Sequence, residues 1–151
     1  MEKGEFQKVG KSEERMYGPW KLLVCGYPVE HQGPFLSILE DLSFMNLPVV
    51  FVTDEDLQLS LEILFNRGDK EGFGEGSNMT RAVIMSGFTH NDLHKLISAY
   101  RQHQLPEQLW ATLTPTSEKW PIAMLLEQLS KEAQAMKKLQ KTKKEEREAR
   151  I

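Results

Sequence analysis

Apolar residues along this chain fall into short runs and spaced stripes that alternate with one another. Leu22-Leu23-Val24-Cys25 is a continuous apolar run ending at Gly26, the pattern of a strand buried on both faces. Phe35, Leu36, Leu39 and Leu42 recur at three- and four-residue steps, which predicts a helix with one apolar stripe. Leu47-Pro48 closes that region, and Val49-Val50-Phe51-Val52 follows as a β-branched, aromatic second strand. Thr53-Asp54-Glu55-Asp56 leads into a helix carrying Leu57, Leu61, Leu64 and Phe65. Ala82-Val83-Ile84-Met85 predicts a third strand, and Leu93, Leu96, Ile97 and Tyr100 a helix framed by Thr89 and Asp92 in the manner of a capping box. Leu109, Ala111 and Leu113 alternate with Trp110 and Thr112, so the fourth strand is less completely buried and belongs at an edge. A last helix starts near Ser117 and buries Ile122, Leu125, Leu126 and Leu129.

Shifting Lys21 to Glu71 forward by 61 positions lays it on Ala82 to Glu132 without a gap. Gly26 falls on Gly87 with an aromatic residue after each (Tyr27, Phe88), Thr53 falls on Thr114, and Asp56 falls on Ser117. The chain therefore reads as an α/β protein of two tandem βαβα units, 19–68 and 81–130, forming one mainly parallel four-stranded sheet flanked by helices. Duplication and convergence both produce such a match. The competing geometry is a ferredoxin-like α+β sandwich with antiparallel neighbours. The units share a single domain, 19–130, and are joined by the glycine-rich stretch 66–80, which reads as a mobile connector. Residues 1–18 read as a flexible arm, and 131–151 as a charged helical tail that should fray.

With 151 residues, 40% hydrophobic and 27% charged, one soluble domain with a real core is expected. The net charge of −3 argues against a nucleic-acid partner, which demands a basic face, and no segment has the apolar length of a membrane span. The single cysteine, Cys25, excludes an internal disulfide and suits a reducing compartment, so the cytoplasm is the expected address. Met1 to Arg15 is too polar for a signal-peptide core.

No catalytic, cofactor or metal signature stands out. Strand order is left open; if it is 2-1-3-4, with strands one and three central, the strand-to-helix turns gather at one carboxyl edge of the sheet, where open α/β sheets bind ligands. That reasoning selects Gly26, Tyr27, Thr53, Gly87, Phe88, Thr89, Thr114, Thr116, Ser117 and Trp120 as a candidate ligand site. Hydroxyls beside helix N-termini can hold a phosphate or carboxylate, and they are equally good helix caps. The glycines of GFGEGS precede a strand and lack the Lys-Ser/Thr ending of a phosphate loop. His90 and His94 share a helical face without a third ligand, Asp54 to Asp56 suit a solvated helix start, and Cys25 reads as core. Trp110 and Trp120 are the aromatic candidates for a partner surface.

GFTHNDLHKLISAYR followed by ATLTPTSEKWPIAMLLEQL resembles a small bacterial family known as domain of unknown function 3783. Its pattern is a Gly-Phe turn, a helix, and T-P-x-N-x-x-W before the last helix. Gly87, Phe88, Thr114, Pro115 and Trp120 fit, and Ser117 stands where Asn is expected; both cap helices. The resemblance implies bacterial origin and supplies no catalytic residue. The expected role is a non-enzymatic interaction or regulatory module with a protein partner. The alternatives are an anion- or nucleotide-responsive regulator and an enzyme with a dispersed site. Oligomeric state is left open.

Overall fold

In the computed structural model, which describes residues 13 to 44 and 46 to 149, four strands build one sheet. These are β1 (Lys21–Cys25), β2 (Val49–Phe51), β3 (Ala82–Ser86) and β4 (Leu109–Thr112), in the order β2-β1-β3-β4. β1 and β2 are parallel, as are β3 and β4, whereas the central β1 and β3 run antiparallel. The helices are α1 (Val29–Asp41), α2 (Leu61–Phe65), α3 (His90–Gln102) and α4 (Ile122–Ala149). The architecture is α/β with a mostly parallel sheet.

The strand period of two sends alternate side chains to opposite faces. Leu22, Val24, Val49, Phe51, Val83 and Met85 pack with Phe35, Ile38 and Leu39 of α1 and Leu96 and Tyr100 of α3. Leu23, Cys25, Val50, Ala82 and Ile84 pack with Leu61, Leu64 and Phe65 of α2 and Ile122, Leu125 and Leu126 of α4. Helices thus cover both faces, unlike a ferredoxin-like sandwich, whose helices lie on one. β4 is only half-buried, as an edge strand should be.

Elements of the two units stand 61 positions apart: α1 and α3 begin at 29 and 90 and end at 41 and 102, and α2 and α4 begin at 61 and 122. The β1/β3 register places Leu23 opposite Ile84, two residues also 61 apart, so the pairing is centred on matching positions of the units. The same relation recurs outside the sheet. Ser60 and Pro121 form an isolated antiparallel bridge, with Leu61 N donating to Trp120 O at 3.0 Å and Ile122 N to Leu59 O at 2.9 Å.

That bridge corrects two sequence expectations. The helix expected to carry Leu57 through Phe65 is split into a 3-10 turn, Asp54–Asp56, and the short α2, which Ser60 caps by accepting from Ile63 N. The last helix likewise does not start at Ser117: a 3-10 turn, Ser117–Lys119, is separated from α4 by Trp120-Pro121. Backbone groups at each break bond across to the other unit instead of continuing a helix. α4 runs unbroken to Ala149, where fraying was expected, and its residues beyond Ser130 are almost all exposed.

The connector 66–80 also differs from expectation. Val49 N donates to Asp69 Oδ1 at 2.9 Å, Lys70 N to Val49 O at 2.7 Å and Phe51 N to Glu71 O at 2.9 Å, so the segment lies along the outer edge of β2 and covers it. α2, at a rise of about 1.5 Å per residue, is too short to do more than turn the chain at the amino end of β1, where Lys21 Nζ caps its last turn by donating to Phe65 O at 2.8 Å. The connector then climbs beside β2 to the carboxyl edge. There Ser77 Oγ donates to Asp54 Oδ1 at 2.7 Å and Ser77 N to Tyr27 O at 3.3 Å. β3 therefore starts where β1 ends, and must run the opposite way.

The expected single carboxyl edge is thereby corrected to two. Gly26, Tyr27 and Thr53 lie at one edge, and Gly87, Phe88, Thr89, Thr114, Thr116, Ser117 and Trp120 follow the strands that end at the other. Of the expected flexible arm, residues 1–12 lie outside the described residues. Its last residues are docked: Met16 N donates to Phe88 O at 2.8 Å, and Gly87 N to Tyr17 O at 3.0 Å.

Where each central strand ends, the chain leading into the other crosses it. Gly26 has φ +75°, and a Cβ there would meet Met79 O at 2.4 Å and Arg81 N at 2.8 Å. Gly87 has φ +67°, and its Cβ would meet Gly18 O at 2.6 Å and Trp20 N at 2.8 Å. Gly26→Ala and Gly87→Ala should each lose about 2–3 kcal/mol from strain and backbone collision, whereas Gly74→Ala, at φ +90° in open space, should lose about 1 kcal/mol. Urea midpoints compare the three. Equal losses would mean that the crossings impose no constraint beyond a left-handed backbone.

Candidate functional site

Cys25 pairs with Ala82, so the residues just beyond β1 and just before β3 are neighbours. Tyr27 and Arg81 occupy those places. The Arg81 guanidinium lies over the Tyr27 ring, 3.7 Å from its centroid, a cation–π contact in a partly desolvated setting. Arg81 Nε donates to Tyr100 Oη at 3.1 Å, and Nη1 lies 3.1 Å from His31 Nδ1, which must accept because a guanidinium only donates. Tyr100 Oη donates in turn to Pro106 O. The Tyr27 hydroxyl donates to Gln108 Oε1 at 2.6 Å. Burial, foremost, pushes the Tyr27 phenol far above its ordinary range, against a lowering contribution from Arg81, so it stays neutral.

Two donors in this cluster have no partner. Arg81 Nη2 and Gln108 Nε2 are both shielded from solvent without a hydrogen bond. Arg81 also forms no ion pair with a carboxylate among the described residues. A desolvated charge without a counter-charge is costly, by several kcal/mol in a dry site. Beside the cluster opens a cleft of about 430 Å³ lined by Tyr100, Arg101, Leu105, Glu107, Gln108 and Trp110. Trp110 meets Tyr100 edge to face, with centroids 5.3 Å apart. Tyr100 and Gln108 belong both to the cleft wall and to the Arg81 network.

The residues selected from sequence divide unevenly around this site. Tyr27 is in it, and Gly26 permits the crossing that delivers Arg81. Thr53, also at this edge, serves a cap: its N and Oγ1 donate to Asp56 Oδ2 at 2.9 and 3.0 Å, and Arg67 Nη1 donates to the same oxygen at 2.7 Å. At the opposite edge Thr114 and Ser117 satisfy each other. Thr114 N donates to Ser117 Oγ at 3.1 Å, and Ser117 N to Thr114 Oγ1 at 3.0 Å. Thr89 Oγ1 accepts from Asp92 N at 3.1 Å, Phe88 is buried, and Thr116 is exposed. Trp120 is half-buried against the α2/α4 core.

His31, Arg81, Tyr100 and Gln108 were not singled out from sequence. One signal existed: in the 61-residue alignment Arg81 falls on Trp20, a charge where the other unit has an aromatic residue. Trp20 packs edge to face with Phe44 at 6.2 Å, and Phe44 with Phe88 at 6.1 Å, so the matching place at the other edge is aromatic, with the Arg15 guanidinium 5.4 Å from the Trp20 ring centroid and Trp20 Nε1 buried without a partner. His90 and His94 are exposed with rings 6.5 Å apart, and no metal-competent group of three or more His, Cys, Asp or Glu occurs among the described residues. Cys25 is fully buried, and that burial drives its thiol pKa up, away from the reactive thiolate.

The Asp56 cap has a pH signature. Burial pushes its carboxyl up, but the bonds from Arg67 and Thr53 outweigh this and hold it below the ordinary carboxylate range. A depressed folded pKa means that the stabilisation is present above about pH 4, the unfolded value, and is lost as pH falls through the folded value. Asp56→Asn should lose about 2 kcal/mol at pH 7, with the deficit shrinking below about pH 4. Urea unfolding at pH 7 and pH 3 checks this; a deficit independent of pH would refute the charged cap.

No helix of the described residues is long and apolar enough to cross a membrane. No curated protein and no solved structure matches the chain. Residues 81–136, which carry β3, α3, β4 and the first half of α4 and so contribute Arg81, Tyr100 and Gln108 to the site, match the family model Domain of unknown function (DUF3783).

Proposed function

We propose that this chain is a non-enzymatic regulatory module that binds a small anion where β1 ends and β3 begins. The observation that carries this reading is Arg81: a guanidinium stacked on Tyr27, without a carboxylate partner, one of whose terminal nitrogens has neither hydrogen bond nor solvent. A carboxylate or phosphate oxygen would satisfy that nitrogen and supply the missing charge, and Arg101 on the cleft wall adds a second cation. Binding rather than catalysis is favoured because the groups with latent reactivity are silenced by burial, Tyr27 as a neutral phenol and Cys25 as a thiol. The site differs from the one expected at a common carboxyl edge, since it uses the carboxyl end of one central strand and the amino end of the other.

The same proposal extends to origin and setting. The 61-residue spacing of helices, glycines and the β1/β3 register supports descent from a duplicated unit, one copy of which kept or gained Arg81. The family resemblance supports a bacterial source, and the lone buried cysteine a cytoplasmic one. The module would pass its ligand state to a protein partner.

An anion that binds the folded chain must raise its apparent stability. Thermal melts with increasing inorganic phosphate or acetate, against sodium chloride at matched ionic strength, should show a saturable rise that Arg81→Gln abolishes. A rise that survives in Arg81→Gln, or none in the parent chain, rejects this site.

A further inference from the structure

The walls of the cleft narrow the ligand class. Its two charged residues, Arg101 and Glu107, are of opposite sign, so the cleft lacks the stacked positive charge that a di- or triphosphate requires. Its remaining lining is the polar Gln108 together with an apolar and aromatic wall of Leu105, Trp110 and the ring of Tyr100. Trp110 and Tyr100 hold each other edge to face, and each also packs against the α1/α3 core, so they form a rigid surface. Gln108, fastened through Oε1 to the Tyr27 hydroxyl at 2.6 Å, leaves its amide Nε2 as a second unused donor on the tyrosine that Arg81 also contacts.

We infer that the ligand is an organic monocarboxylate with a flat apolar body, its carboxylate taken by Arg81 and the Gln108 amide and its body lying against Trp110 and Leu105. This inference rests on the anion site proposed above and adds the polarity and shape of the rest of the molecule. One charge matches one unpaired guanidinium, and a planar acceptor with two oxygens suits two donors that both contact Tyr27, one over its face and one at its hydroxyl. Both donors are shielded from solvent, so the Gln108 side chain, half-buried and held by a single hydrogen bond, must turn to uncover Arg81 Nη2 and present its own amide to the carboxylate. The apolar body covers aromatic surface that inorganic phosphate would leave wet.

The test is isothermal titration of the full chain with phenylacetate, acetate and inorganic phosphate at matched ionic strength. Phenylacetate should bind at least tenfold more tightly than acetate or phosphate. Trp110→Leu should remove most of that advantage while leaving acetate binding unchanged, and Arg81→Gln should remove all three. Should Trp110→Leu fail to give a native circular dichroism spectrum, Leu105→Ser, away from the Tyr100 contact, makes the same comparison. Phosphate or acetate binding as tightly as phenylacetate, with no effect of either cleft variant, overturns the monocarboxylate class and leaves the anion site standing. Absence of binding by all three overturns both.

Discussion

The antiparallel pairing of β1 with β3 is the contact on which the other features depend. It joins two units that are each internally parallel, and its register sets Leu23 against Ile84, so that matching residues of the units meet at the centre of the sheet. The helices then fall into two pairs, α1 with α3 on one face and α2 with α4 on the other. A parallel pairing would have needed β3 to start at the amino edge of β1, where the end of α2 already lies beside Lys21. α2 has five residues, and the connector that follows runs up the outer edge of β2 instead. Direction in the sheet is therefore decided by the hydrogen bonds that residues 69 to 71 make along the edge of β2.

The same pairing brings the chain leading into each central strand across the end of the other, at Gly26 and at Gly87. The residues at these crossings are Arg81 and Trp20, a point at which the two edges diverge in chemistry. Trp20 completes an aromatic cluster with Phe44 and Phe88. Arg81 instead gathers hydroxyl, imidazole and ring-face partners from α3, α1 and the turn after β1. The Trp20 edge also buries two unpartnered polar atoms, Trp20 Nε1 and Ser86 Oγ, but both are neutral, whereas a guanidinium in a partly dry site demands charge as well as hydrogen bonds. That demand is unmet within the described chain, which is why the functional reading falls on this edge.

Much of the fold was legible in the pattern of side chains, and the reasons are local. Runs such as Leu22 to Cys25 and Ala82 to Met85 are buried on both faces because helices cover both, and the stripe Leu93, Leu96, Ile97, Tyr100 has one face to bury. Thr53/Asp56 and Thr114/Ser117 were legible as turn and cap residues because their bonds span three positions, although Asp56, expected at a solvated helix start, is buried and paired with Arg67. The helix breaks before Leu61 and Ile122 were not legible, since the groups that replace the helical bonds come from a residue about sixty positions away. Nor was the site: Tyr27 was visible beside its glycine, but His31, Arg81, Tyr100 and Gln108 have no mutual spacing that marks them.

From the sequence by itself follow the α/β class, the four strands, the edge position of β4 and the matching halves, because each rests on periodicity or on steric properties of nearby residues. The relative direction of the two halves, the cover over β2 and the convergence of Tyr27 with Arg81 were settled only by tertiary structure. Those features depend on long-range backbone hydrogen bonds and on which strand ends become neighbours. Side-chain pattern does not encode strand direction: a buried run reads the same whether its neighbour is parallel or antiparallel. The residues gathered at a sheet edge change entirely when that direction reverses.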